Sequence, residues 1–250
     1  MNYIDVSRNE SIYEKLETAV LKEELEEMAI LAASGFDLDA LDIKGETLLL
    51  KAIRNDKLDS ARELIKLGAD IDKRDTDANT PLIELCRANA PIELIETVIS
   101  KAKNINNKNN LGDTALHQAC YYGYANIVEL LIKNGADLNI HNRQGELPLH
   151  KTAVYGWTDI AKYLVDNGSD TSCADGDGNT IHHLACIHGY KDLISHIEKL
   201  STCSETRNKN GQKPSECNRE GLKYDLSRDG ERLRKEAAEY VRSFSEASKV

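Results

Sequence analysis

The sequence has no run of 18 or more apolar residues, so no segment is long enough to cross a bilayer as a helix. Positive charge is also scarce. Lys and Arg total 32 against 42 Asp and Glu, a formal net charge of -10. Binding to phosphate backbones calls for the opposite balance, so nucleic acid is not expected as a partner. Cysteine is dilute: Cys86, Cys120, Cys173, Cys186, Cys203 and Cys217, with no C-x-x-C pair. A disulfide scaffold would be shorter and denser, so free thiols in a reducing compartment are expected. Four prolines and 15 glycines leave little room for a disordered linker. The polar, acidic residues 1–10 lack the basic-then-apolar order of a secretory signal. The chain is therefore expected to be cytoplasmic, without membrane insertion. Its 250 residues suffice for one large domain or two small ones.

What is present is a repeat. Gly35-Phe36-Asp37-Leu38-Asp39 returns as Gly68-Ala69-Asp70-Ile71-Asp72, as Gly135-Ala136-Asp137-Leu138-Asn139 and as Gly168-Ser169-Asp170. A second series runs Thr47-Leu48-Leu49-Leu50, Thr80-Pro81-Leu82-Ile83, Thr114-Ala115-Leu116-His117, Leu147-Pro148-Leu149-His150 and Thr180-Ile181-His182-His183. Both series step by 33 residues, once by 34. A fixed period of this size marks units that bury their apolar faces only by stacking. Within a unit, Ile127, Val128, Leu130 and Leu131 form a wide helical stripe, and Ile160, Tyr163, Leu164 and Val165 repeat it. Tyr163 is accordingly expected in the core. Ala52, Ala119 and Ala185 line the first helix and permit close approach. Gly135 and Gly168 suit a left-handed helix stop, and Thr114 and Thr180 suit a helix start.

These motifs resemble the ankyrin repeat. The best copy reads Gly112-Asp113-Thr114-Ala115-Leu116-His117-Gln118-Ala119, continued by Ile127-Val128-Glu129-Leu130-Leu131 and Gly135-Ala136-Asp137. The expected fold is an all-α ankyrin solenoid of about seven helix-turn-helix units with β-turn hairpin tips. Five repeats cover 42–74, 75–108, 109–141, 142–174 and 175–207. A divergent repeat over 1–41 and a segment over 208–250, with a charged helix at 231–244, are expected to cap the ends. The first 41 residues hold ten acidic and three basic residues. Glu23, Glu24, Glu26 and Glu27 read as a solvated capping face, with docking of a basic partner as the alternative.

Three departures from the pattern stand out. Repeat 75–108 has one extra residue, assigned to the turn Arg87-Ala88-Asn89-Ala90-Pro91, with Pro91 at the first position of the second helix. Ala102 replaces the closing glycine, so a local bend or looser junction is expected there. His182 occupies the leucine position of Leu49, Leu82, Leu116 and Leu149, which predicts a buried, neutral imidazole. His117, His150 and His183 recur once per repeat, and the resemblance implies that they bond across adjacent turns.

Catalytic and metal signatures are missing. There is no G-x-x-x-x-G-K-[ST] loop and no G-x-S-x-G elbow. Asp175-Gly176-Asp177-Gly178-Asn179 opens like a calcium loop, but Cys186 stands where the closing glutamate is required. His182, His183, His188 and His196 lie near Cys186, but helix neighbours point about 100° apart, so convergence on zinc is not expected. The chain reads as non-enzymatic, with no cofactor and no metal. The rival readings are a microbial effector acting on a host protein, in host cytosol, and an enzyme with a site in the segment from Gly221.

The resemblance implies a protein partner on the concave face, formed by hairpin tips and first-helix residues. The chain is expected to be monomeric alone. The variable pairs after each first helix include Tyr121-Tyr122, Val154-Tyr155 and Ile187-His188. Tyr124, Trp157 and Tyr190 follow two residues on, and fill the place of the family's usual histidine in one reading. Tyr121, Tyr122 and Tyr155 are expected to be exposed and to bind. Tip candidates are Arg143 and Glu146, with Asn110, Leu111, Asp113, Gln144, Asp177 and Asn179. Asn139 resembles sites of asparaginyl hydroxylation in ankyrin repeats.

Overall fold

The computed structural model describes residues 6–200 and 205–217. The expected helix at 231–244 and the proposed C-terminal site from Gly221 lie outside the described residues. The chain forms two compact units, Met1–Asn110 and Leu111–Val250, and the boundary follows the irregular repeat 75–108.

The first unit contains α1 (Val6–Lys22), α2 (Leu25–Ala33), α3 (Leu48–Arg54), α4 (Leu58–Leu67), α5 (Pro81–Arg87) and α6 (Ile92–Lys101). These pair as hairpins, α1 with α2, α3 with α4 and α5 with α6. First helices stack on first helices, α1 on α3 and α3 on α5, and α2 packs on α4. The second unit repeats the plan with α7 (Ala115–Tyr122), α8 (Ala125–Lys133), α9 (Pro148–Tyr155), α10 (Thr158–Asp166), α11 (Ile181–His188) and α12 (Lys191–Leu200). Here α7, α9 and α11 stack in order, α10 packs on α12, and a 3₁₀ turn at Pro214–Glu216 packs on α11. Pro214 and Cys217 are buried in that contact.

Leucines drive the stacking. Leu48, Leu49 and Leu50 of α3, Leu116 of α7 and Leu149 of α9 are almost completely buried. Each such side chain contributes about 2 kcal/mol of transfer free energy, which no single hairpin could collect alone. Local chemistry starts and stops the helices. The hydroxyls of Thr47, Thr80 and Thr114 accept from the amides of Leu50, Ile83 and His117. Between the two helices of a hairpin, Gly123, Gly156 and Gly189 take positive φ, and Asp56 and Asn89 take the same conformation in the first unit.

The hairpin tips are turns closed by the backbone: the amides of Asp75, Asn142 and Asp175 donate to the carbonyls of Asn79, Glu146 and Asn179 at 2.9–3.1 Å. Neighbouring tips are tied as well. In the second unit Arg143 donates to Leu111, Gly176 to Gln144 and Lys209 to Asp177. The tips therefore hold successive repeats in register.

Two expectations need correction. Pro91 caps α6 from outside, with φ -53° and ψ 138°, and the helix begins at Ile92. The extra residue of this repeat is taken up by the longer connection that ends in this extended cap. Tyr163 is half-buried rather than core, because α10 turns that edge of its stripe toward solvent beside α8.

Candidate functional site

The first helices of the two units present different chemistry at equivalent positions. Lys51 corresponds by the repeat to Glu84, Gln118, Lys151 and Leu184; Arg54 corresponds to Arg87, Tyr121, Val154 and Ile187. In the first unit these positions are ionic and held in ion pairs, although the buried Arg54 Nε makes no hydrogen bond. The Arg54 guanidinium is paired with Glu46, Asp75 and Glu84, and the Asp75 and Glu84 side chains are almost fully buried. Lys51 bridges Glu17 and Asp42. Hydrogen bonds from Lys51, Glu46 and Lys44 hold the Asp42 carboxyl below its usual range against the opposing effect of desolvation. In sequence, Arg54 is only a repeat position whose residue type varies. Its countercharges lie up to 30 residues away in sequence, and only the 33-residue step from Lys51 to Glu84 hints at them.

In the second unit Lys151 remains ionic, paired with Glu146, but the Tyr121 position and its neighbours carry aromatic rings. Tyr121 lies edge-on to Tyr155 of the next repeat with ring centroids 4.5 Å apart. Tyr121 also meets Tyr122 edge-on at 4.8 Å, and Tyr122 stacks on Tyr124 at 5.6 Å. Four sequence-selected tyrosines from two repeats thus form one connected cluster. Tyr121, Tyr122 and Tyr155 are half-buried rather than freely exposed, because they cover one another. Val154 and Ile187 are half-buried too. His188 stacks on Tyr190 at 5.6 Å, as a separate pair on the following repeat.

Tyr124 and Trp157 have structural duties. Tyr124 is 8% exposed, and both residues occupy the N-cap positions of α8 and α10. The Trp157 indole Nε1 donates to the Tyr121 carbonyl at 3.1 Å, and the ring covers Gly123, where a Cβ would collide with it. This anchors the C-terminal end of α7, and so the backbone that carries Tyr121. The tip residues are fixed differently. Arg143 is exposed, and its amide donates to Leu111. Glu146 is paired with Lys151 and accepts from the Asn142 amide group; these hydrogen bonds keep its carboxyl ionised, against the desolvation that opposes it. Asn139 is exposed, and its Oδ1 accepts from the Asp170 amide at 2.8 Å. Asp39 makes the same link to Asp70 at 2.7 Å, which identifies a bridging position.

Of the three recurring histidines, His117 and His183 bond across to the next turn, whereas His150 Nδ1 accepts from the Leu147 amide and its buried Nε2 makes no hydrogen bond. His117 Nδ1 accepts from the Thr114 amide at 3.2 Å, so Nε2 carries the proton that it donates to the Glu146 carbonyl at 3.1 Å. His183 repeats this with Thr180 and the Gln212 carbonyl. Burial pushes the His117 pKa down to about 4, and a second ring proton would face an amide N–H. His182 is 4% exposed, with Nε2 3.7 Å from Glu198 Oε1. Desolvation lowers its pKa despite the opposing pull of Glu198. The buried thiols of Cys86 and Cys120 are raised by burial and held neutral. Among the described residues no group of three or more His, Cys, Asp or Glu is arranged to hold a metal ion. No described helix is long and apolar enough to cross a membrane.

Comparison with known proteins gives the same architecture. A family model for ankyrin repeats in three copies matches residues 64–142 and 131–198, and a single-repeat model matches 44–76. "Ankyrin repeat protein OPG189" of variola virus is 40% identical over 98 residues, covering 36% of this chain and 17% of the viral protein. The human transient receptor potential cation channel subfamily A member 1 is 36% identical over 84 residues, covering 33% of this chain and 7% of the channel. The matches thus span less than a fifth of either curated relative. Among solved structures, the ankyrin repeat domain of Bcl-3 superposes with a TM-score of 0.71 at 22% identity, covering 80% of this chain and 91% of that one. EF0377, an ankyrin repeat protein, gives 0.68 at 26% identity, covering 75% and 98%. The chain belongs to the ankyrin-repeat family.

Proposed function

We propose that this chain is a non-enzymatic, cytosolic protein-binding module that is monomeric alone. Its partner docks on the concave face of the second unit, on Tyr121, Tyr122 and Tyr155. Val154, Ile187 and His188 flank the rings, and Arg143 and Glu146 supply polar contacts at the tips. The observation that carries this reading is the tyrosine cluster. In the first unit the equivalents of Tyr121 are the ion-paired Arg54 and Arg87, and those of Tyr122 and Tyr155 are Asn55 and Ala88, so the aromatic rings with their polar hydroxyls are a feature of the second unit. Such rings desolvate much area on binding and are typical anchors of interfaces.

The test is a pulldown from lysate with crosslinking mass spectrometry, comparing the wild-type chain with Tyr121→Ala/Tyr155→Ala. Loss of a buried anchor costs about 2 kcal/mol, so affinity for a captured partner should drop at least roughly tenfold. Because these rings pack on each other, truncation should also lower stability, by about 1 kcal/mol. Affinity is therefore measured well below the melting temperature. Glu24→Ala/Glu27→Ala on the acidic first hairpin should leave affinity unchanged. If the cap variant abolishes binding and the tyrosine variant binds normally, the site lies on the first hairpin instead.

The likeness to the variola protein favours a second reading, in which the module is a viral or other microbial effector that engages a host protein. Recovery of the protein from the cytosol of infected host cells supports it; confinement to the producing organism refutes it.

A further inference from the structure

The first hairpin has a covered side and an uncovered one. Its α1 packs on α3 and its α2 on α4, burying Leu16, Ala19, Val20 and Met28. The exposed faces of the same two helices line a groove of about 910 Å³. Terminal repeats need a polar outer face to stay in solution. This groove instead holds two large aliphatic side chains, Leu25 at 37% and Ile30 at 66% exposure. Glu14 of α1 and Glu24, Glu26 and Glu27 around the start of α2 also line it, against a single base, Lys15. All five charged side chains are exposed, and none makes an ion pair among the described residues. The dipole of α2 accounts for Glu26 and Glu27 in its first turn. It accounts neither for Glu14 nor for the exposed aliphatics.

We propose that this groove docks a basic amphipathic helix of a partner protein. The surface and its partner are separate from the tyrosine cluster, and a partner captured through Tyr121 and Tyr155 does not depend on them. Charge sets the sign of the occupant. Lys or Arg side chains beside its apolar stripe meet the four unpaired glutamates, on a chain whose net charge is -10. The apolar floor sets its pattern, since aliphatic residues one helical turn apart can cover Leu25 and Ile30. The lining sets its shape: two packed helices offer ridges between which a third helix seats its side chains. A second copy of this chain is the wrong occupant, because a symmetric contact would set the same glutamates against each other. Nucleic acid and anionic lipid carry the wrong sign.

The experiment titrates the ¹⁵N-labelled full chain with an acetylated, amidated peptide made of two copies of Leu-Lys-Lys-Leu-Ala-Lys-Lys. The ionic strength is about 0.15 M, where attraction by distant charges is screened. Control peptides replace the leucines by glutamine or the lysines by glutamate. The basic amphipathic peptide should shift the amides of Thr18, Leu25 and Ile30, with both controls at least about tenfold weaker. Glu14→Gln/Glu26→Gln should weaken it at least about threefold, and Ile30→Ser roughly tenfold. Glu93→Gln/Glu96→Gln, on exposed residues of α6, removes the same charge outside the groove and should change nothing. All the substituted side chains are exposed, so unchanged spectra away from the groove report intact folding. The proposal is overturned if the three amides stay still or if the groove variants bind unchanged. It is also overturned if the Glu93/Glu96 variant weakens binding as much as the Glu14/Glu26 variant, which would mean attraction to net charge alone. Shifts in residues 218–250 on adding peptide would make the chain's own C-terminal segment the occupant. A dimer in sedimentation that Ile30→Ser dissolves would make it a second copy, and either result overturns the proposal.

Discussion

At the scale of single residues, the informative positions break the repeat's own rule. His182 stands where four other repeats place leucine, and it is buried with only a 3.7 Å approach to Glu198. Its folded pKa lies below the unfolded value, so protonation favours the unfolded chain. The neutral ring is fully tolerated above about pH 6.5, and stability falls as pH drops through that value. His117 and His150 are shifted in the same direction by burial and add to the loss. Replacing His182 by Leu should raise stability at pH 6 and reduce the slope of stability against pH between about 6.5 and 5. Urea titrations at several pH values measure both. A destabilised variant at neutral pH would mean that the contact with Glu198 outweighs the burial cost. His182 as a core position was legible from the 33-residue step alone. Its partner was not, because Glu198 lies on the other helix of the hairpin and no repeat feature specifies it.

At the scale of the repeat element, turn geometry decides. Gly45, Gly112, Gly145, Gly178 and Gly211 all take φ between 74° and 81° at the hairpin tip, and the repeat places Ala78 in that series with φ 60°. A side chain in this region costs about 1–2 kcal/mol, of which glycine returns part through its freer unfolded chain. Ala78→Gly should therefore stabilise the protein by about 0.5–1 kcal/mol, roughly a 2 °C rise in Tm. Calorimetry checks it, and a lower Tm would show that the methyl group packs usefully. The contrast shows what sequence can and cannot reveal about this fold. Helix pairs, threonine caps and leucine stacking follow from residues that recur at fixed offsets. The aromatic neighbours were also legible, since Tyr121-Tyr122 and Val154-Tyr155 occupy one offset. Their mutual burial was not, because it depends on rotamers across a repeat junction. The half-burial of Tyr163 was hidden for a similar reason: it fits the apolar stripe in sequence but lies at its solvent edge beside α8.

At the scale of the molecule, stacked repeats behave roughly as nearest-neighbour chains, so local irregularities set where the structure opens first. Repeat 75–108 collects three of them. Ala78 and Asn89 hold positive φ without being glycine, an extra residue separates α5 from α6, and α6 ends at an extended Ala102 rather than a left-handed glycine. The chain divides into its two compact units directly after this repeat. Residues 112–141 carry none of these defects: glycine occupies the tip, the inter-helix turn and the helix stop, at positions 112, 123 and 135. Native-state hydrogen exchange should find the amides of α5 and α6 exchanging at least about tenfold faster than those of α7 and α8, a difference of 1.4 kcal/mol in opening free energy. The stretch around His182 should rank between them, since it has regular turns but a polar group in a leucine site. Ala78→Gly should then slow exchange in 75–108 and leave α8 unchanged. If α5 and α6 exchange as slowly as α7 and α8, the buried ion network of Arg54, Asp75 and Glu84 compensates for the irregular turns, and Arg54→Met should expose the weakness.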